Sequence, residues 1–338
     1  YLEECIKNQD YDHNNMEVVL VDGASTDNTR ALMCEFALDN KDEFRRVVVL
    51  DNPKKTLPSG WNVALREYKG DAIIKVDAHA VIPEDFVSKN VRVLETGEYI
   101  CGGQRPNIID KPTPFKETLL LAESSMFGSS IASYRNNPGK TYVKSLFHAA
   151  YRREVFEKVG FFNEELVRTE DNEIHYRMRK AGYKLCFDPD IISYQYTRSS
   201  LKAMLKQKYA NGYWIGKTSK VCPKCLSIYH FVPFAFVSAI IASGSVIGAT
   251  GLAECIKKRH NHTLGKGISA LRKVTVVLTT VMWVLYALMA SGMAAVSAFK
   301  AEDKRNITNA CLPVLFLLLH LSYGIGTIAG LMDKSKRG

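Results

Sequence analysis

Met16-Glu-Val-Val-Leu-Val-Asp22-Gly-Ala-Ser-Thr-Asp27-Asn-Thr29 decides the fold. Residues 16–21 form a short, Val-rich apolar run of the kind that is buried as a parallel strand. The segment from Asp22 to Asp27 is a turn with helix-capping chemistry, and residues 29–38 read as a helix. The alternation continues. A strand over 46–50 ends at Asp51-Asn52-Pro53, 60–67 is helical, Gly70 turns the chain, 72–76 is a third strand and 83–95 another helix. Strands alternating with helices specify an open α/β sheet, whose ligands gather at the carboxyl ends of the strands. Asp22 and Asp77 both fall at such ends.

Further along, the spacing predicts a strand at 99–103, a helix at 118–132, a loop at 138–141, a helix at 152–159 closed by Gly160, a helix ended by Gly182, and a strand at 184–187. Residues 201–216 form a basic amphipathic helix that leads toward three long apolar stretches, 228–253, 274–299 and 307–332. Each is long enough for a hydrocarbon core about 30 Å thick, which takes about 20 helical residues. Pro233 and Ser243-Gly244-Ser245 interrupt the first, which leaves a re-entrant or interfacial alternative for it. The expected organisation is therefore an α/β unit at 1–198, an interface segment at 199–227 and a membrane unit with two or three spans at 228–338.

A mean hydropathy of −0.10 hides this division. The net charge is +10, from 45 basic and 35 acidic residues over 338. Much of the excess flanks the apolar stretches, at Lys217, Lys220, Lys224, Lys257, Arg272, Lys273 and Lys334 among others. That distribution fits anionic lipid head groups and the positive-inside bias rather than nucleic acid. Three full spans with a cytoplasmic front unit would place the basic loop 255–273 outside; a first stretch that only dips in would keep it inside. Cys222 and Cys225 form the one close pair among eight cysteines. His230, His260 and His262 lie near them without zinc-like spacing, so juxtamembrane thiols are expected and a disulfide framework is not.

Asp22 is read either as a nucleotide contact or as a turn cap worth about 1 kcal/mol. Asp77 and His79 alternate along an extended backbone, so both side chains can face one side. A carboxylate and an imidazole suit Mn2+ better than Mg2+, which prefers oxygen. Glu170 and Asp171 precede a helix-like run at 174–181. Acids there are favourable to the helix dipole, and one can also serve as a general base. Tyr213 and Trp214 read as head-group residues of a membrane-surface helix; Gln207 is left open between that and a sugar site.

Val19-Leu-Val-Asp-Gly-Ala-Ser-Thr-Asp-Asn-Thr29, Lys75-Val-Asp-Ala-His-Ala80, Gly160-Phe-Phe-Asn-Glu164 and Thr169-Glu-Asp-Asn-Glu173, in this order and spacing, resemble the family 2 inverting glycosyltransferases. More narrowly, the chain is similar to the membrane-anchored succinoglycan-type exopolysaccharide enzymes, which carry Asp-Ala-His-Ala in place of Asp-x-Asp; His320-Leu-Ser-Tyr-Gly-Ile-Gly326 is similar too. The resemblance covers residues 1 to about 220. It implies a GT-A, Rossmann-like domain with a mostly parallel sheet, followed by transmembrane helices. It implies that Asp22 contacts the nucleotide, that Asp77 binds the divalent cation (Mn2+ or Mg2+) and diphosphate, with His79 in the second metal position, and that Asp171 is the base supported by Glu170. Gly102 and Gly103 would lie against the donor sugar, and Asn62 near the donor. The family's first strand is missing ahead of Tyr1, so the chain reads as truncated. The Gln-x-x-Arg-Trp pattern of processive synthases is absent, which favours one sugar added per encounter.

The expected function is thus transfer from a nucleoside-diphosphate sugar to a lipid-linked saccharide, in surface or exopolysaccharide synthesis. The enzyme would be multi-pass in the plasma membrane, with its catalytic domain cytoplasmic and polysaccharide-assembly proteins as possible partners. The rival is a catalytically degenerate membrane scaffold. A transporter would need polar residues within the spans, where His320 stands nearly alone.

Overall fold

The computed structural model describes residues 2–128, 139–259, 265–301 and 306–334. His260, His262, Lys336, Arg337 and the end of the helix expected at 118–132 lie outside the described residues. The first repeat folds as its periodicity dictates. Helix α1 (Leu2–Lys7) precedes β1 (Glu17–Asp22), α2 (Thr29–Asp39), β2 (Arg46–Asp51) and α3 (Leu57–Glu67). The latter starts three residues earlier than expected because Pro58 occupies its first turn, where the missing N–H costs nothing. Strands β1 and β2 pair in parallel, with Asp22 opposite Asp51.

The second part comprises β3 (Ala72–Ile74), β4 (Ala80–Val81), α4 (Phe86–Glu95), β5 (Ile100–Gln104), β6 (Asn107–Ile108), α5 (Pro114–Ser124), β7 (Thr141–Val143), β8 (Ala150–Arg152), α6 (Arg153–Val159), α7 (Glu170–Lys180), β9 (Leu185–Ile192) and β10 (Tyr194–Tyr196). Five strands form a sheet in the order β3-β8-β5-β9-β7, and three form β4-β10-β6. The pairing is mixed. Strands β5 and β9, and β6 and β10, run parallel, while β8 runs antiparallel between β3 and β5. Strand β8 enters from a loop rather than from a crossover helix, so it is free to oppose its neighbours. Its Tyr151 is buried in the main core with Ile174 and Met178 of α7, Phe187 of β9 and Phe162. That core fixes α7 against the sheet.

Helix α8 (Leu201–Val221) is followed by α9 (Val232–Arg259), α10 (Lys266–Lys300) and α11 (Leu312–Met332). Pro233 sits at the second residue of α9, and Ser243-Gly244-Ser245 lies within it without a break, so the first apolar stretch is one continuous helix. Three helical segments, Ile228–Lys257, Lys266–Lys300 and Ile307–Met332, are long and apolar enough to cross a membrane. An ion pair between Arg272 and Glu254 joins the α9 and α10 ends and offsets part of the loop's positive charge.

Helix α8 does not lie free as a surface helix; it packs along α11. Gly212 meets Tyr323 and Thr327, while Gly216 meets Thr327, Gly330 and Leu331, so the two helices run in the same direction. Gly326 and Gly330 face Tyr209 and Tyr213 in return. Small residues spaced four apart on both helices let the backbones touch. Trp214 is accordingly buried rather than placed for head groups. Tyr213 hydrogen-bonds Asp333, which also pairs with Lys217. A Cβ added at Gly216 would fall 2.5 Å from the Thr327 carbonyl oxygen and 2.7 Å from the Leu331 nitrogen. Gly216→Leu is expected to destabilise the protein by about 1–3 kcal/mol, the usual penalty of overpacking. Gly248→Leu, where the added carbon meets nothing within 4 Å, is the control. Thermal unfolding of both variants in detergent measures the difference; equal midpoints would refute close α8–α11 packing.

Candidate active site

Strand β3 stops at Ile74, and residues 75–77 continue without strand pairing to a turn at Ala78-His79, closed by the Ala80 N–H to the Asp77 carbonyl at 2.9 Å. The turn separates the two residues expected to alternate. Asp77 points inward, with Oδ2 3.7 Å from His148 Nε2. His79 is exposed, and its Nε2 meets the Gln195 side-chain nitrogen at 2.7 Å. The alternation fails because the chain is not extended across 77–79. Among the described residues, no three His, Cys, Asp or Glu side chains are clustered as a ready-made metal site. Oδ1 of Asp77 is nonetheless buried with no hydrogen-bond partner, and so is His148 Nε2. A carboxylate with an unused buried oxygen at a strand end fits a hard divalent cation.

His148 Nδ1 is 2.8 Å from Ser193 Oγ. Burial, only partly offset by Asp77, holds this imidazole below the usual histidine range, which keeps it neutral near pH 7. Burial also opposes ionisation of Asp77, but His148 and Lys75 outweigh it and hold the carboxyl well below the usual range.

Lys75 is the residue that sequence reading missed. Its Nζ lies 2.6 Å from Asp171 Oδ1 and 3.9 Å from Glu170 Oε1, and its side chain is 5% exposed. The Trp61 and Phe162 rings stand 5.1 and 5.7 Å from the ammonium. Burial disfavours this charge, yet Asp171 and Glu170 outweigh burial and hold the ammonium above the ordinary lysine range. A charged residue within the apolar run Ala-Ile-Ile-Lys75-Val was a visible signal, since lysine is almost never fully buried unless paired.

Glu170 and Asp171 lie inside the first turn of α7, not before it. Burial first, and the Asp171 charge second, push the Glu170 carboxyl up to about 8. Asp77 adds to this repulsion, so the two acidic regions far apart in sequence share one electrostatic neighbourhood. One turn further, His175 is fixed by Tyr151 Oη at 2.8 Å and Ser145 Oγ at 3.1 Å, and burial lowers it to about 4. The Thr169 and Thr218 hydroxyls, both buried, hydrogen-bond to each other and tie the start of α7 to α8.

The remaining expected residues make contacts within the scaffold. Asp22 accepts hydrogen bonds from Ser25 Oγ at 2.6 Å and from the Ser25 N–H, as in the turn-cap reading. Asn62 donates to the Phe162 carbonyl oxygen and to Glu164 Oε1, each at 2.9 Å, and accepts from the Phe162 N–H at 2.9 Å. Its amide therefore shapes the loop that carries the aromatic wall around Lys75. A Cβ at Gly103 would fall 1.9 Å from the Ile191 carbonyl oxygen, so glycine is required there by the approach of β9. At Gly102 it would meet the His148 carbonyl oxygen at 3.3 Å, a tight fit against the chain carrying that imidazole. Gln207 Oε1 is buried without a hydrogen-bond partner among the described residues.

Glu170 yields a pH prediction. Its folded-state carboxyl is raised above the ordinary 4.5, so between about 4.5 and about 8 the folded protein retains a proton that the unfolded chain has lost. Stability from this group is full below that window and declines as pH rises through it. Glu170→Gln is expected to flatten the pH dependence of the thermal midpoint between pH 5 and 8, and parallel curves for the two proteins would contradict it.

Residues 1–160 match the family model described as Glycosyl transferase family 2. Succinoglycan biosynthesis protein ExoA of Rhizobium meliloti (strain 1021) is 30% identical over 203 residues, which are 59% of this chain and 59% of that protein. The chain therefore spans less than two thirds of that relative's length. A dolichyl N-acetyl-alpha-D-glucosaminyl phosphate 3-beta-D-2,3-diacetamido-2,3-dideoxy-beta-D-glucuronosyltransferase of Methanococcus voltae is 26% identical over 252 residues, 72% of this chain and 76% of that one. In structure, the chain is similar to the mannosyltransferase PcManGT from Pyrobaculum calidifontis, solved in complex with GDP-Man and Mn2+. That likeness has a TM-score of 0.55 and 17% identity, and it covers 98% of this chain and 82% of that one. The fold is GT-A.

Proposed function

We propose that this chain, whose residues 1–160 belong to glycosyltransferase family 2, transfers a sugar from a nucleoside-diphosphate donor to a lipid-linked saccharide, with inversion and one sugar per encounter. The observation that carries the reading is the Asp171 carboxylate. It sits in the first turn of α7, with one oxygen tied to buried Lys75, two residues before Asp77 along the chain. Asp171 removes a proton from the acceptor hydroxyl. That oxygen attacks the anomeric carbon as the bond to the donor diphosphate breaks, and the departing electron pair goes to the diphosphate. Attack from the opposite face inverts the configuration.

Asp77 would hold a divalent cation (Mn2+ or Mg2+), with His79 at the neighbouring turn. When bound, it would offset the charge that develops on the leaving diphosphate. The unpartnered Asp77 oxygen supports this assignment, and the neighbouring mannosyltransferase was solved with GDP-Man and Mn2+. Asp22, Gly102 and Gly103 line the donor side of this reading, with Asn62 acting through the 160–164 loop. Glu170, its carboxyl pushed up by burial and the Asp171 charge, supports the base from 3.9 Å of the ammonium.

The apolar helices favour an acceptor presented at a bilayer, as does the dolichyl N-acetyl-alpha-D-glucosaminyl phosphate in the name of the Methanococcus voltae relative. Arg168 donates to Asn211 Oδ1 at 3.1 Å, and burial together with nearby Arg198 lowers it. Two guanidiniums beside the start of α7 suit an acceptor phosphate. Nucleotide sugars are made in the cytoplasm, and we place the catalytic unit there, anchored by a multi-pass membrane part.

Asp171→Asn is expected to lower transfer by about 10²–10⁴-fold while UDP or GDP binding persists. The full chain in membranes, screened against a panel of nucleotide sugars with lipid extract as acceptor, measures this. Normal turnover by the variant would remove Asp171 from the mechanism. Calorimetry with UDP or GDP should give binding that chelation of Mn2+ abolishes; absence of metal-dependent binding would favour the scaffold reading.

A further inference from the structure

The motif that contains Lys75 gives it no role. It leaves β3 two residues ahead of Asp77, yet its ammonium turns toward α7 instead of the metal side. Asp171 Oδ1 lies at 2.6 Å, Glu170 Oε1 at 3.9 Å, and the Trp61 and Phe162 rings close the remaining sides. Exposure rises across the cluster: the Lys75 and Glu170 side chains are 5% and 4% exposed, whereas that of Asp171 is 18% exposed. The Asp171 carboxylate therefore straddles the boundary between the buried ammonium and solvent. Oδ1 is the oxygen engaged inside, and Oδ2 makes no hydrogen bond among the described residues.

We propose that Lys75 is the positioning residue of the base: its ammonium clamps Asp171 through Oδ1 and thereby aims Oδ2 at the acceptor hydroxyl. This rests on the assignment of Asp171 as the base. A carboxylate at a helix start has two rotatable bonds and several rotamers. A charge-assisted contact within an aromatic enclosure selects one of them, and the enclosure keeps water from competing for the ammonium. The same enclosure keeps Lys75 from the donor, because reaching a diphosphate would require it to leave both carboxylates. One cation facing two acids also explains the division between them. Asp171 takes the short contact, while Glu170, farther away and more buried, has its carboxyl pushed up.

The test is steady-state transfer by the full chain in membranes, with UDP- and GDP-sugars, Mn2+ and membrane lipid extract as acceptor, alongside UDP and GDP affinity. Lys75→Met is expected to lower kcat by about a hundredfold, the effect of a misplaced catalytic group. The donor KM and nucleotide affinity should stay within about twofold of the wild type, the mark of positioning rather than binding. Lys75→Arg keeps the charge but alters its reach, and should lose about tenfold in kcat with the same unchanged KM. If Lys75→Met does not fold, Lys75→Arg decides alone. Wild-type kcat in the folded Lys75 variants, beside an inactive Asp171→Asn, would overturn the clamp while leaving the base in place. A tenfold rise in donor KM at unchanged kcat would overturn it in favour of donor binding. Full activity in Asp171→Asn would instead remove the base assignment on which the clamp rests.

Discussion

One buried ammonium faces two carboxylates at the start of α7, and the candidate site is arranged around that imbalance. Removing an ion from water costs several kcal/mol even after relaxation, so a buried charge persists only where geometry and further contacts compensate it. Lys75 has Asp171 at hydrogen-bond distance and two aromatic faces around it. Glu170 has one oxygen without any partner, and its raised carboxyl titration is the cheapest way to remove the excess negative charge. Lys75 is matched to Asp171, and the Asp77 carboxylate stands beside His148, on which the charge of Arg105 also acts. A lone ionised carboxylate with an unpartnered buried oxygen is what a divalent cation would complete. Lys75, whose charge acts on both Asp171 and Asp77, thus links the proposed base to the proposed metal residue.

The position of α7 depends on both halves of the chain. Its inner face packs into the sheet core through Ile174 and Met178, and His175 pins it to Tyr151 and Ser145. Its N-terminus is held from the other side, where Thr169 meets Thr218 of α8. Helix α8 in turn lies in backbone contact with α11 through glycines on both helices. A displacement of α11 would therefore pass through this packed helix pair to the residue that precedes Glu170. Packed elements of this kind shift as bodies rather than deform, so the apolar helices are coupled to the start of α7 by more than a tether.

Much of this was legible in the sequence because it depends on period. Strands β1, β2 and β3 and the helices between them follow from apolar runs, turn residues and caps; Asp22 ends β1 as the alternation requires, whereas Asp77 stands three residues beyond the end of β3. The strands that were missed, β4, β6, β7, β8 and β10, are two or three residues long. Strands that short carry no measurable period; their pairing is set by the chain segments they meet. The same limit separated Asp77 from His79. Alternation holds for an extended backbone, and nothing in Asp-Ala-His announces the turn at 78–79. The first apolar stretch was judged by its proline, but Pro233 stands where a helix begins and breaks no hydrogen bond there.

Lys75 and His148 separate two kinds of invisibility. His148 lies in a loop beside Asp77 only after β8 has inserted next to β3, so no local signal could have found it. Lys75 was visible as a charge within the apolar run Ala-Ile-Ile-Lys75-Val, and the physical rule that such a charge must be paired was enough to ask for an acid partner. The acids that met this need were already marked as the base and its neighbour. Reading the buried cation first, and then asking which acids could neutralise it, would have joined residues 75 and 171 across nearly a hundred positions without coordinates. In a fold whose site is assembled from strand ends and one helix start, the uncompensated charge is thus a better guide to tertiary contact than the motif that contains it.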